Sequence, residues 1–222
     1  GAVGAAHIAL RAGRPNVVTL DMGGTSADVA LIEDGRTEIA FQRDVAGFPI
    51  RLAMVDIDTV GAGGGSIAWF DRDGLLKVGP ISAGAVPGPA CYGQGGTEPT
   101  VTDANLVLGR LSPTGLLDGA MPLDPVVAET SLKPVAEKVG VSLQEAALGV
   151  LAIAVANMTR SVRRMSVERG RDPREFVLMA FGGAGALHAR EVAAELGMGE
   201  VLVPPSPGIV CAEGLLVSDQ KE

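Results

Sequence analysis

The sequence is poor in the residues that most often advertise a function. Aromatics make up 3% of its 222 residues, so the apolar content of 47% is carried by Ala, Val, Leu and Ile. Two cysteines, Cys91 and Cys211, supply neither a disulfide framework nor a metal-ligand spacing. His7 has no metal-like partner near it in the sequence and reads as structural. Positive charge is also short. Lys and Arg total 18 against 26 Asp and Glu, a net charge of −8 and a pI of about 4.8. That balance speaks against nucleic acid and anionic membranes as partners. The longest apolar run, Ala146–Ala156, is too short to span a bilayer. No G-x-x-x-x-G-K-[ST] occurs, which excludes a Walker phosphate loop. With no secretory signal recognisable either, the cytoplasm is the default expectation.

What the sequence has in quantity is glycine, 31 residues, about twice the usual share of about 7%. The stretch Val17–Glu33, VVTLDMGGTSADVALIE, is the point around which the rest is organised. Val17–Leu20 and Val29–Ile32 read as two short strands bounded by turn residues. Between them, Gly23 and Gly24 allow a sharp turn that can approach a ligand closely. Successive amides in such a turn bind anions, and the Thr25 and Ser26 hydroxyls add donors. Asp21 and Asp28 would repel a bare phosphate. They make sense with a divalent cation between acid and phosphate, or as turn acceptors in a plain hairpin. Both readings stand at this point.

Before this stretch, GAVGAAHIALRAGR (1–14) reads as a short helix stopped at Gly13. Because the chain starts inside that helix, a fragment of something longer is expected. After it, Thr37–Val45 alternates enough for a third strand, which predicts a three-strand antiparallel meander. Residues 47–123 differ in texture, with Gly and Pro dense enough to limit regular elements before Asp103. Gly61-Ala62-Gly63-Gly64-Gly65-Ser66 fails the dinucleotide fingerprint, since Ser66 takes the third glycine's place and IAWF follows as strand. Apolar residues recurring through the segment predict an ordered insertion whose loops present backbone to a ligand. Asp103, ahead of ANLVLGRL, reads as a helix cap, with Asp103 and Asn105 as a site pair the other option.

From Ser142 the pattern becomes regular. Ser142 and Glu145 form a capping box, and Leu143–Arg169 carries apolar residues at helical spacing until Gly170 and Pro173. Its arginines (Arg160, Arg163, Arg164, Arg169) read as a solvated face that also suits the helix dipole. Phe176–Phe181 is a buried-strand run entering Gly182-Gly183-Ala184-Gly185, then a helix over Ala186–Leu196 and a strand over Val201–Val203. Strand, glycine turn, helix, strand is a βαβ unit with ligand space at the carboxyl end of its first strand. The glycine turn again fails the full dinucleotide pattern, because His188 stands where it needs glycine.

This element order resembles a ribonuclease-H-like half-domain, the repeated unit of actin, sugar kinase and heat-shock ATPases. Asp21-Met22-Gly23-Gly24-Thr25-Ser26-Ala27-Asp28-Val29 resembles the second phosphate motif of that superfamily, and Phe181-Gly182-Gly183-Ala184-Gly185 its adenosine motif. More narrowly, TVGAGGGSIAW, GPACYGQGGTEPTVTDANLVLGRL and FGGAGALHA with PPSPG downstream resemble the hydantoinase A / oxoprolinase family. The sequence departs from that family at Ala186, where proline is expected, and at Cys211-Ala212-Glu213-Gly214.

The resemblance implies an α/β ATPase lobe formed by 1–46 and 124–222, with 47–123 as an insertion subdomain. It implies ATP and Mg²⁺ as cofactors: Gly23, Gly24, Thr25 and Ser26 on the phosphates, Asp21 and Asp28 as catalytic acids with Asp21 on the metal, and Gly182, Gly183, Ala184 and Gly185 under the adenosine. It further implies phosphorylation of a cyclic amide or ketone substrate. The implied partners are a preceding lobe, which carries the first phosphate motif, and a hydantoinase B-type subunit or domain. A non-catalytic nucleotide-sensing or assembly module of the same superfamily is the alternative.

Overall fold

The computed structural model describes residues 1–45 and 47–218. The chain divides into two compact units, one of Gly1–Asp21, Asp28–Thr59 and Thr159–Glu222, the other of Met22–Ala27 and Val60–Met158. These boundaries differ from those expected of an insertion over 47–123. Residues 47–59 fall in the first unit because the Asp58–Val60 strand edges its sheet. The first half of the long helix falls in the second because Ala146 is buried with Val135 and Ala136 there.

The first unit is built on a mixed sheet whose path runs Val201–Leu202, Val177–Phe181, Val17–Met22, Ala27–Val29, Asp58–Val60. Val17–Met22 and Val177–Phe181 are parallel in register from Val17 against Val177 to Asp21 against Phe181, and Val201–Leu202 runs parallel beside them. All five residues of Val177–Phe181 are buried, as a continuous apolar run in a parallel sheet requires. Leu31–Glu33 pairs antiparallel with the start of the first strand, and Arg36–Thr37 with Leu31–Glu33. The α/β class and the parallel placement of the first, Val177 and Val201 strands therefore match the expectation.

The antiparallel portion does not match in full. Val29–Ile32 is broken at Ala30, whose amide donates to Thr19 Oγ1 at 2.9 Å. The third strand expected over Thr37–Val45 is three pieces. Arg36–Thr37 stays in the main sheet, Ile39–Ala40 pairs with Met54–Val55, and Arg43–Val45 pairs with Phe48–Ile50. An alternating pattern cannot hold one strand where its apolar residues find no cover, and Ile39 and Phe41 are exposed here.

Helix Ala2–Arg11 buries its alanine face (Ala5, Ala6, Ala9) with Val17, Ile32, Met179 and Phe181. It lies close against helix Val210–Val217. A Cβ on Gly4 would stand 2.3 Å from the Val210 carbonyl oxygen, so only glycine permits that approach.

The second unit holds the hairpin Ser66–Phe70 with Leu76–Ser82 and the helices Val101–Val107 and Pro125–Val139. The helix expected after Asp103 starts earlier, at Val101. Thr100 is its cap, and Asp103 is the third helical residue of a complete capping box. Ser142 and Glu145 form their box as expected, Glu145 N–H donating to Ser142 Oγ at 3.2 Å and Ser142 N–H to Glu145 Oε2 at 2.9 Å. The long helix spans Leu143–Met165, and a separate short turn, Val167–Arg169, follows Ser166. By length and hydropathy alone Leu143–Arg169 passes for a membrane-crossing helix, contrary to the reading of the shorter apolar run. Its Ala147, Val150, Ala154 and Met158 are buried within the fold, the use made of a core helix.

Candidate functional site

Asp21 is the penultimate residue of the Val17–Met22 strand and is half-buried. Asp28 is the middle residue of Ala27–Val29. Both line one cavity of about 110 Å³ in the first unit, together with Thr19, Phe181 and Cys211. Cys211 Sγ–H donates to Asp21 Oδ2 at 3.1 Å, and Thr59 Oγ–H donates to Asp28 Oδ1 at 2.7 Å. Partial burial pushes the Cys211 thiol up, and the Asp21 carboxylate adds to the shift. The sulfur therefore stays protonated and acts as a donor.

Phe181, opposite Asp21 in the parallel register, leads directly into Gly182–Gly185. Gly182 takes φ +80 and donates its amide to the Pro207 carbonyl at 2.9 Å, while Gly185 opens the helix Gly185–Leu196. Asp21 and this glycine turn thus sit at the carboxyl ends of neighbouring parallel strands, where α/β sheets bind ligands.

The turn Gly23–Ser26 belongs to the second unit. Gly23 N–H donates to the Ser26 carbonyl at 2.9 Å. The turn is braced from behind by the glycine string of the second unit: Gly64 N–H donates to Gly23 O at 3.0 Å, and Gly65 N–H to Gly24 O at 2.6 Å. Thr102 holds the string in place, its N–H and Oγ–H both donating to Gly64 O at 2.8 Å. Gly24 and Thr25 are exposed, and their amides have no hydrogen-bond partner among the described residues. Open amides at an exposed glycine turn form an anion-binding concavity.

So Asp21 and Asp28 come together on one cavity, and Gly182, Gly183, Ala184 and Gly185 turn at the same strand ends as Asp21. Gly23, Gly24, Thr25 and Ser26 form a braced turn of their own. Among the described residues no group of three or more His, Cys, Asp and Glu could hold a metal ion. Of the four arginines read as a solvated face, two are held in ion pairs. Arg164 pairs with Asp58 at 2.7 Å, Ser161 Oγ–H donates to the same carboxylate, and Arg169 pairs with Asp56 and with Glu38 at 3.0 Å. Arg171 grips Glu33 with two guanidinium nitrogens and holds that carboxyl below its usual range.

Sequence reasoning missed Gly63–Gly65 as the brace, and Thr59 and Cys211 as partners of the two acids. The glycine string was visible, but its partner lies about forty residues upstream and pairs through backbone alone. A Cβ on Gly63 would stand 2.5 Å from Thr25 N and 2.6 Å from the Gly24 carbonyl carbon, both backbone atoms that cannot swing aside. Gly63→Ala is therefore expected to destabilise by about 2 kcal/mol, in the range of overpacking. It should also raise hydrogen exchange at Gly64 and Gly65. Wild-type exchange at those amides would show that the turn tolerates the extra carbon.

Comparison with families of known sequence matches residues 1–222 to Hydantoinase/oxoprolinase. The chain belongs to the hydantoinase/oxoprolinase family. It is 46% identical to the caprolactamase subunit alpha of Pseudomonas jessenii over 93% of this chain and 30% of that protein. It is 41% identical to the acetophenone carboxylase gamma subunit of Aromatoleum aromaticum over 99% of this chain and 30% of the other. Among solved structures, nucleotide-free acetone carboxylase superposes with a TM-score of 0.91 at 34% identity, over 99% of this chain and 31% of that one. The ATP-dependent caprolactamase of Pseudomonas jessenii gives 0.89 at 44%, over 98% and 32%. The chain thus spans about a third of the length of these family members.

Proposed function

We propose that this chain is one lobe of a two-lobe, ribonuclease-H-like ATPase that uses ATP to phosphorylate a carbonyl oxygen, as an ATP-dependent cyclic amide hydrolase or a related carboxylase component. The observation that carries the reading is the cavity shared by Asp21 and Asp28 at the carboxyl end of the first strand. ATP-dependent relatives of both reaction types support it, and their naming as alpha and gamma subunits supports a partner subunit or domain.

The residues fit Mg²⁺ better than a softer ion. Two carboxylates on one cavity, with no His- or Cys-rich cluster among the described residues, suit a cation held by one or two acids, water and phosphate oxygens. Asp21 would hold it, with Asp28 alongside. When bound, it neutralises charge on the transferring phosphoryl group. The remaining work falls to the chain. The amides of Gly24 and Thr25 and the Thr25 and Ser26 hydroxyls bind phosphate oxygens. Cys211 fixes the rotamer of Asp21 by donating to Oδ2, and Thr59 does the same for Asp28. Gly182–Gly185 leave backbone for the adenosine to lie against. Phosphoryl transfer asks mainly for positioning and electrostatic stabilisation, which such turns and acids supply.

Calorimetric titration of the full-length protein with Mg²⁺ and a non-hydrolysable ATP analogue tests the phosphate turn. Thr25→Val removes one donor to a charged oxygen and is expected to weaken binding about tenfold. Equal affinity in wild type and variant would remove the turn from the nucleotide site.

A further inference from the structure

The second unit brings a further hydroxyl to the Gly23–Ser26 turn, from a residue 57 positions away in the sequence. It is that of Ser82, the last residue of the Leu76–Ser82 strand. The placement is made by backbone. Gly65 lies between the two segments and ties them together: its N–H donates to Gly24 O at 2.6 Å, and its carbonyl accepts from Ala83 N–H at 2.9 Å. The packing is close, because a Cβ on Gly65 would stand 3.0 Å from Gly24 O and 3.2 Å from Ser82 Oγ. A Cβ on Gly24 or on Gly84 would instead meet nothing within 4 Å, so each segment also has an open face.

The Ser82 oxygen is held in position. It accepts from Gly84 N–H at 3.1 Å, which leaves the hydroxyl hydrogen to donate. Its neighbour across Gly65 is Thr25 Oγ1, 3.5 Å away. An O–H···O bond of ordinary strength spans about 2.5–3.0 Å, so neither hydroxyl satisfies the other at this distance. An acceptor oxygen standing about 2.7 Å from each would take both hydrogens at once. An anionic oxygen is favoured there, because the open amides of Gly24 and Thr25 belong to the same turn.

We propose that Ser82 is a phosphate-binding residue: its hydroxyl and that of Thr25 donate to one phosphoryl oxygen of the bound nucleotide, and the Ser82–Gly84 segment forms a wall of the phosphate site. That the anion is a nucleotide phosphate rests on the ATP-dependent reading above, whereas the pairing of Ser82 with Thr25 rests on their geometry. Sharing one oxygen makes the two hydroxyls interdependent, since each holds that oxygen where the other needs it.

The test is a double-substitution cycle of Ser82→Ala, Thr25→Val and the two together, read by calorimetric titration of the full-length protein with Mg²⁺ and β,γ-imido-ATP. Ser82→Ala is expected to weaken binding about tenfold, the effect of one hydrogen bond to a charged oxygen. The pair should weaken it by less than about thirtyfold, short of the roughly hundredfold of two independent donors. Hydrogen exchange at Gly65 and Ala83 should be unchanged in Ser82→Ala, because those amides bond to carbonyls and not to the serine side chain. That readout separates a lost ligand from a loosened brace. Wild-type affinity in Ser82→Ala, additive losses in the pair, or faster exchange at Gly65 and Ala83 would each overturn the proposal. Weakening by Thr25→Val without weakening by Ser82→Ala would sink this inference alone. A wild-type protein that does not bind the analogue would remove the nucleotide reading and this inference together.

Discussion

Asp21→Asn in the full-length protein is expected to lower ATP-dependent turnover by about 10²-fold or more, about 2.7 kcal/mol of barrier, with the fold intact. The substitution keeps the size of the side chain. It leaves the backbone register with Phe181 untouched, because that pairing involves no side-chain atom. What it removes is the negative charge on a cavity whose second acid is Asp28. It keeps one oxygen able to accept from the Cys211 thiol, so the lost charge is what the variant isolates. The measurement is turnover at saturating Mg²⁺ and ATP, with circular dichroism as the check on folding. A variant that folds and turns over like wild type would leave Asp21 as a turn former and withdraw the metal role.

How far the sequence disclosed this arrangement depends on the range of the interaction involved. Local signals were legible. Val177–Phe181 is apolar at every position and became the fully buried parallel strand, and the Ser142–Glu145 box opened its helix as written. The acids flanking the first glycine turn were legible for the same reason, since their spacing is confined to a few residues. Interactions carried by backbone over long separations were not. Nothing in Gly63–Gly65 says that these amides will grip the carbonyls of Gly23 and Gly24, because neither side brings a side chain to the contact. Thr59 and Cys211 illustrate the converse case. Each is a single small polar residue whose partner is set by tertiary folding alone. The strand pieces between Arg36 and Val55 failed for want of burial, since Ile39, Phe41 and Phe48 are all exposed and no covered apolar face selects one register.

Asp103→Ala is expected to be the most destabilising single change in the second unit, at about 4 kcal/mol. Its carboxylate is fully buried and accepts four donors: Cys91 N–H at 2.8 Å, Ala90 N–H at 3.3 Å, Thr100 N–H at 2.9 Å and Thr100 Oγ–H at 2.7 Å. The sequence suggested a cap one turn later than the true one, because the apolar run ANLVLGRL hides the T-x-x-D box that starts at Thr100. The box explains two of the donors. The other two come from the Ala90–Tyr92 turn, so one side chain ties that turn to the helix start. Alanine would strand three buried amides and open a cavity beside Cys91, whose thiol is held neutral by burial and by the Asp103 charge. Each unsatisfied amide costs about 1–3 kcal/mol, which the loss of a buried carboxylate's own desolvation offsets only in part. Asp103→Asn keeps one acceptor oxygen and should recover about half of the loss. Hydrogen exchange at Ala90, Cys91 and Thr100 reads the effect locally, and protection there should fall about 10²- to 10³-fold in the alanine variant. Protection retained at all three amides would mean that other groups satisfy them, and that Asp103 does not hold this turn to its helix.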